Sequence, residues 1–169
     1  MFQLIEKELY LKAENTVKLL KEKNLTVATA ESCTGGMLAS YITSVSGVSD
    51  IFEMGITSYS CRIKNKLLGV ENKTLEKFGA VSKETATEMA VNVRNLANSD
   101  IGVSVTGAAG PSGTEGHPAG YVFIALSAKN ALKVELLNIE PKSRNFVREK
   151  AVSAVFSLIE QYIKEQSND

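Results

Sequence analysis

The side chains that could do chemistry fall in three turns. The first reads Glu31-Ser32-Cys33-Thr34-Gly35-Gly36, between a short apolar, β-branched run at residues 25–30 and a segment carrying Met37, Leu38, Tyr41 and Ile42 at helical spacing. A strand-to-helix turn of this kind has unpaired backbone N–H groups at the positive end of the helix, where an anion is favoured. It can therefore hold a nucleophile beside an oxyanion hole. Ser32 or Thr34 would serve equally as a plain helix cap, and the glycines as close-packing residues. The pattern lacks the lysine that follows the last glycine of a P-loop, and it is not a GxSxG elbow.

The second turn reads Tyr59-Ser60-Cys61-Arg62-Ile63-Lys64. It leaves a strand expected over residues 55–60 and enters a helix, which puts a phenol and an ammonium at the same sheet edge as Ser32. A serine nucleophile needs a base, and lysine serves only when neutral. At an ordinary pKa of ~10.4 about one lysine in 2,500 is neutral at pH 7, so burial would have to lower it. Otherwise Lys64 is a solvated helix charge and Tyr59 an amphipathic edge of the core. The third turn begins Val105-Thr106-Gly107-Ala108-Ala109-Gly110-Pro111 and runs to residue 120. A loop of ~14 residues is long for a turn without a task, and its small residues let the backbone approach a phosphate or a flat ring. It also carries His117, the one histidine of the chain and a second candidate base. Arg144, at the start of the last helical segment, is either a solvated charge or a phosphate fork.

The elements that must position these turns follow from periodicity. Residues 2–23 carry Leu4, Ile5, Leu9, Val17 and Leu20 at roughly helical spacing. Ser82 reads as the N-cap of a helix running through Met89, Val93 and Leu96, followed by a strand at residues 101–106. Two further strands, residues 121–127 and 132–139, meet at Lys129-Asn130 as a hairpin. The last helix starts near Ser143 and turns Phe146, Val147, Ala151, Val155, Leu158 and Tyr162 inward. Strands interleaved with helices, plus one hairpin, predict an α/β fold: a three-layer α/β/α sandwich around a mixed sheet of about five strands. Ligands in such folds bind beyond the C-terminal ends of the strands, here residues 31–36, 59–64 and 106–120.

At 169 residues the chain fits one domain, residues 1–169, large enough to build a full core without metals or disulfides. No apolar run approaches the ~18 residues needed to cross a bilayer, and the N-terminus lacks the form of a secretory signal, so a cytoplasmic protein away from membranes is expected. The formal net charge is zero, with lysine and arginine spread along the chain, which leaves no electrostatic footprint for nucleic acid. Cys33 and Cys61 lack CxxC spacing and have only His117 to join them, so no metal site is expected. A homo-oligomer is expected, with a dimer favoured.

Taken together, these segments resemble the family of the C-terminal domain of the competence/damage-inducible protein CinA, which includes the nicotinamide-nucleotide amidases. The resemblance spans essentially the whole chain. It rests on Ala30-Glu31-Ser32-Cys33-Thr34-Gly35-Gly36, on Ser46-Gly47-Val48-Ser49 with Phe52 and Gly55, and on Tyr59-Ser60 followed by Lys64. It continues through Leu68-Gly69-Val70, Gly79-Ala80-Val81-Ser82, Thr106-Gly107 with Ala109-Gly110-Pro111, and Arg144. The resemblance implies hydrolysis of the carboxamide of nicotinamide mononucleotide to nicotinate mononucleotide and ammonia, with neither metal nor cofactor. Ser32 would attack, Lys64 would act as base assisted by Tyr59, and backbone N–H groups near Thr34, Gly35 and Gly36 would hold the oxyanion. Cys33 would line the substrate site, and the phosphate would lie against Thr106, Gly107, Ala109 and Gly110 or against Arg144. The family often carries an N-terminal domain resembling molybdopterin-binding proteins, and this chain reads as the stand-alone form. It departs from the family at His117-Pro118-Ala119-Gly120-Tyr121, where relatives commonly read Lys-Pro-Val-Gly-Thr. Two other functions compete: a non-catalytic nucleotide-binding or interaction module linked to competence or DNA damage, and an amidase or esterase of unrelated substrate.

Overall fold

The computed structural model describes residues 2–166, with the side chains of residues 7–166. Five strands form one mixed sheet: β1 (Val27–Glu31), β2 (Phe52–Thr57), β3 (Ile101–Gly107), β4 (Tyr121–Ala128) and β5 (Ala131–Asn138), in the order β2-β1-β3-β4-β5. β1 runs parallel to both β2 and β3, whereas β4 is antiparallel to β3 and to β5. Helices α1 (Phe2–Glu22), α2 (Met37–Thr43) and α6 (Arg144–Gln166) cover one face; α3 (Cys61–Leu68), α4 (Asn72–Phe78) and α5 (Lys83–Ala97) cover the other. This is the expected α/β/α sandwich.

Alternation along the strands sorts the two cores. Val27 of β1 and Ile101, Val103 and Val105 of β3 face the larger core beneath α1 and α6, while Ala28 and Ala30 meet Met89 and Val93 of α5. The α5 side of β3 carries only small residues, Gly102, Ser104 and Thr106, because the helix lies close there. A Cβ at Gly102 would stand 2.2 Å from the Ala90 carbonyl oxygen, and Ser104 Oγ donates to Ala86 O at 2.6 Å. The caps follow the sequence: Ser82 Oγ accepts the Thr85 N–H, and Ser143 Oγ accepts that of Phe146.

Four details depart from expectation. β2 occupies residues 52–57 rather than 55–60: Phe52 packs on the larger core, a bulge after it turns Met54 and Ile56 toward α5, and Ser60 leaves the strand to cap α3. Helix α4 and a 3₁₀ turn at Val48–Asp50 had no periodicity long enough to reveal them. Phe146 is half-buried rather than buried, with the Lys142 and Lys150 amines 5.3 and 5.4 Å from its ring centre. In α1, Leu9, Val17 and Leu20 are buried as expected, while the side chains of Leu4 and Ile5 lie outside the described residues.

Candidate active site

Parallel pairing brings two distant turns together. Glu31 stands opposite Thr57 in the β1–β2 register, and the Ser58 N–H donates to Glu31 O at 2.8 Å, so the chain leaves both strands side by side. On the other flank the Ser32 N–H donates to Val105 O at 2.9 Å, fixing the first turn against β3. Ser60 then caps α3, its side chain accepting the Ile63 N–H at 3.3 Å, and Lys64 falls within the first turn of that helix.

The Lys64 side chain is fully buried. Its Nζ lies 2.8 Å from Ser32 Oγ, 2.8 Å from Ser58 O and 3.4 Å from Tyr59 O. A protonated amine has three donors and finds three acceptors here. A neutral amine has two donors for the two carbonyls and a lone pair left for the Ser32 hydroxyl proton. Both protonation states are therefore satisfied without rearrangement. Among the described residues no carboxylate forms an ion pair with Lys64. Burial holds its pKa below the ordinary lysine value, opposed by weaker attraction from Cys61, Cys33 and Glu115.

The positive end of α2 is occupied by the protein itself. Glu31, itself buried, accepts the Gly36 and Leu38 N–H groups at Oε2, both at 3.0 Å, and that of Ala39 at Oε1 at 2.9 Å. Gly36, the residue before α2, has φ +92°, a conformation that glycine adopts without strain. The Gly35 N–H turns back to Ser32 O at 3.1 Å. Of the N–H groups expected to face an oxyanion, those of Gly35 and Gly36 are thus engaged. Those of Cys33 and Thr34 donate to no oxygen among the described residues. The Thr34 side chain is fully buried, and its carbonyl accepts Arg148 Nη2 at 2.7 Å.

Ser32, Cys33 and Lys64 open onto a cleft of about 410 Å³, whose far wall is the loop after β3. That volume suits a small polar ligand. Thr106, Gly107, Ala109 and Gly110 line it, as does Arg144. The Thr106 hydroxyl donates to Ala80 O at 2.7 Å and so secures the wall. Arg144 spans the cleft edge, donating from Nη1 to Gly110 O at 2.6 Å and from Nη2 to the Tyr59 hydroxyl at 2.8 Å. Tyr59 is 62% exposed, and its hydroxyl is held by Arg144 rather than by Ser32 or Lys64. The Cys33 thiol is pushed up to about 11, chiefly by burial, and stays protonated at neutral pH. His117 lies outside the cleft lining; its ring stacks on Tyr121 at 4.3 Å.

Sequence reasoning assigned no task to Glu31, Arg148 or Glu115. Glu31 stood inside the quoted sextet, and a carboxylate just before a helix start was the available signal. Arg148 follows Arg144 by one helical turn, but its acceptor lies 114 positions away, beyond any local pattern. Glu115 reaches from the long loop to the Val81 N–H at 3.0 Å, likewise a tertiary contact. Among the described residues no group of three or more His, Cys, Asp or Glu side chains could hold a metal, and no helix is long and apolar enough to cross a membrane.

Comparisons with known proteins agree with this geometry. The family model described as the CinA C-terminal domain matches residues 10–163. A putative competence-damage inducible protein from a Thermoanaerobacter species is 46% identical over 151 residues, which is 89% of this chain and 36% of that protein. The chain thus spans about a third of that relative's length. A solved CinA superfamily protein from Klebsiella pneumoniae superposes with a TM-score of 0.90 at 26% identity, covering 93% of this chain and 98% of that one. A competence/damage inducible protein from Agrobacterium tumefaciens gives 0.87 at 32% identity, covering 90% and 94%.

Proposed function

Since the chain belongs to the CinA C-terminal domain family, we propose that it is a nicotinamide-nucleotide amidase, hydrolysing the carboxamide of nicotinamide mononucleotide to nicotinate mononucleotide and ammonia. One observation carries the reading: a buried lysine that forms no ion pair with a carboxylate among the described residues, its amine 2.8 Å from a serine hydroxyl at the floor of a cleft. Burial favours the neutral amine, which is the form that can take a proton.

In this reading Ser32 Oγ attacks the carboxamide carbon as its proton passes to Lys64 Nζ. The resulting oxyanion is received by the Cys33 and Thr34 N–H groups, which donate to no oxygen among the described residues. Lys64 then returns the proton to the nitrogen, the C–N bond breaks, and ammonia leaves an ester on Ser32. Water adds to that ester, giving its proton to Lys64, and the collapse releases nicotinate mononucleotide with Ser32 re-protonated. Arg144 is the phosphate partner: it is the guanidinium on the cleft lining, and its two bonds to Gly110 O and Tyr59 already orient it. Tyr59 assists by holding Arg144 rather than by moving a proton.

The test is ammonia release from nicotinamide mononucleotide and from free nicotinamide. The nucleotide should react far faster, because its phosphate provides binding energy remote from the amide. Equal rates on both, or no release from either, would refute the assignment.

A further inference from the structure

We propose that two copies of the chain pair along the outer edge of β5, about a two-fold axis centred on Val134. β5 ends the sheet opposite β2. Its register with β4 is unbroken, and just beyond it the Ile139 N–H donates to Gly120 O at 2.9 Å. Peptide groups alternate along a strand, so odd-numbered residues turn theirs to β4 while Leu132, Val134 and Leu136 turn theirs outward. Among the described residues nothing takes up these outward groups. The edge carries no proline and no bulge, two of the devices that keep an edge strand solitary, and its two charges, Lys133 and Glu135, are of opposite sign. On the α5 face of the same strand Leu132 and Leu136 are 54% and 41% exposed, flanking the half-buried Val134.

The strand is complementary to itself in one register. Antiparallel partners must match outward groups with outward groups, so a two-fold axis passes through a residue of β5. Centred on Val134, it sets Leu132 opposite Leu136 of the second copy and Lys133 opposite Glu135, each contact occurring twice. Centred on Lys133 or on Glu135, it sets like charges face to face, which is unfavourable. Centred on Leu136, it leaves both charges opposite apolar residues; centred on Leu132, it sets Lys133 opposite Ala131 and Glu135 opposite Lys129 in the turn, so only the Val134 register pairs both charges within the strand. Lys133 is already oriented by its bridge to Glu165, on the face it shares with Glu135. Pairing would join two five-stranded sheets into one. Ser32 would remain accessible, since β3 and β4 separate β1 from this edge.

Sedimentation equilibrium of the whole chain tests this. The wild type should show twice the 18.2 kDa chain mass. Glu135→Lys and Lys133→Glu, each alone, place like charges across both contacts and should sediment as monomers with unchanged circular dichroism. Mixed in equal amounts, the two variants restore opposite charges at both contacts and should recover the dimer mass. Leu136→Asp should be monomeric alone and in either mixture. A monomeric wild type, a dimer indifferent to Glu135→Lys and Leu136→Asp, or charge variants that stay monomeric when mixed would each overturn the proposal.

Discussion

Replacing Glu31 by glutamine separates a positioning role from a passive one. The carboxylate accepts three backbone N–H groups, two at Oε2 and one at Oε1. Glutamine keeps the shape but offers one acceptor oxygen and a donor. In the best orientation its carbonyl replaces Oε2 and keeps Gly36 and Leu38, while its NH₂ opposes the Ala39 N–H. A buried unpaired N–H costs about 1–3 kcal/mol, and each surviving bond loses about 1 kcal/mol of charge assistance. The sum is about 3–5 kcal/mol, a large part of the ~5–15 kcal/mol that holds a domain together. For a chain of this size that lowers Tm by roughly 6–20 °C. Thermal unfolding by circular dichroism measures the shift. Below the transition, ammonia release from nicotinamide mononucleotide should show a depressed kcat with little change in KM, since Glu31 holds the Ser32 turn yet does not line the cleft. A Tm within about 2 °C of wild type would refute the stability reasoning, and an unchanged kcat would refute the positioning role.

Ser32→Ala should abolish turnover while Cys33→Ala keeps most of it, because burial holds that thiol protonated; the reverse result would reassign the nucleophile. Arg144→Lys, losing the fork on Gly110 O and Tyr59, should raise KM for the nucleotide about 10–100-fold with little effect on any reaction with free nicotinamide; equal losses on both would argue against a phosphate role. Lys64→Arg should be inactive, since guanidinium stays charged, and wild-type kcat should rise with pH through the lowered Lys64 pKa. Between that folded value and the ordinary 10.5 the unfolded chain binds the extra proton, so wild-type stability should rise with pH relative to Lys64→Met. Parallel Tm profiles from neutral pH to pH ~10 for the two proteins would sink that argument.

The sandwich was legible because its determinants are local: alternation in β3, β4 and β5, the Ser82 cap, the Lys129-Asn130 turn and the long apolar stripe of α6. β2 was read three residues late. It is an edge strand whose half-buried apolar residues split between the two faces at a bulge, Phe52 on one and Met54 and Ile56 on the other, so no regular alternation marks its start. The dyad was legible as two turns at one sheet edge. That the Lys64 amine lies buried against Ser32, and that Glu31 fills the end of α2, depend on the β1–β2 register and on contacts no window of sequence contains. Arg148 and Glu115 escaped notice for the same reason: a charged side chain that ends on a distant backbone group looks like any solvated charge.

Two helix ends divide the electrostatic work of the site. The turn after β1 suggested that the positive end of α2 would serve the reaction directly, yet Glu31 occupies it and its field is largely spent inside the protein. Lys64 stands in the first turn of the other helix, α3, where a cation is disfavoured, and the amine's hydrogen-bond partners are carbonyl oxygens and a hydroxyl. Burial and that helix end both favour the neutral amine, and the carbonyls of Ser58 and Tyr59 orient its lone pair toward Ser32. A carboxylate beside Lys64 would bind the charged form and remove the base. Glu31 is engaged by the backbone N–H groups of the nucleophile turn and Glu115 by the Val81 N–H, and neither forms an ion pair with the amine. In the proposed mechanism Glu31 thus holds Ser32 in place and leaves Lys64 free to accept its proton.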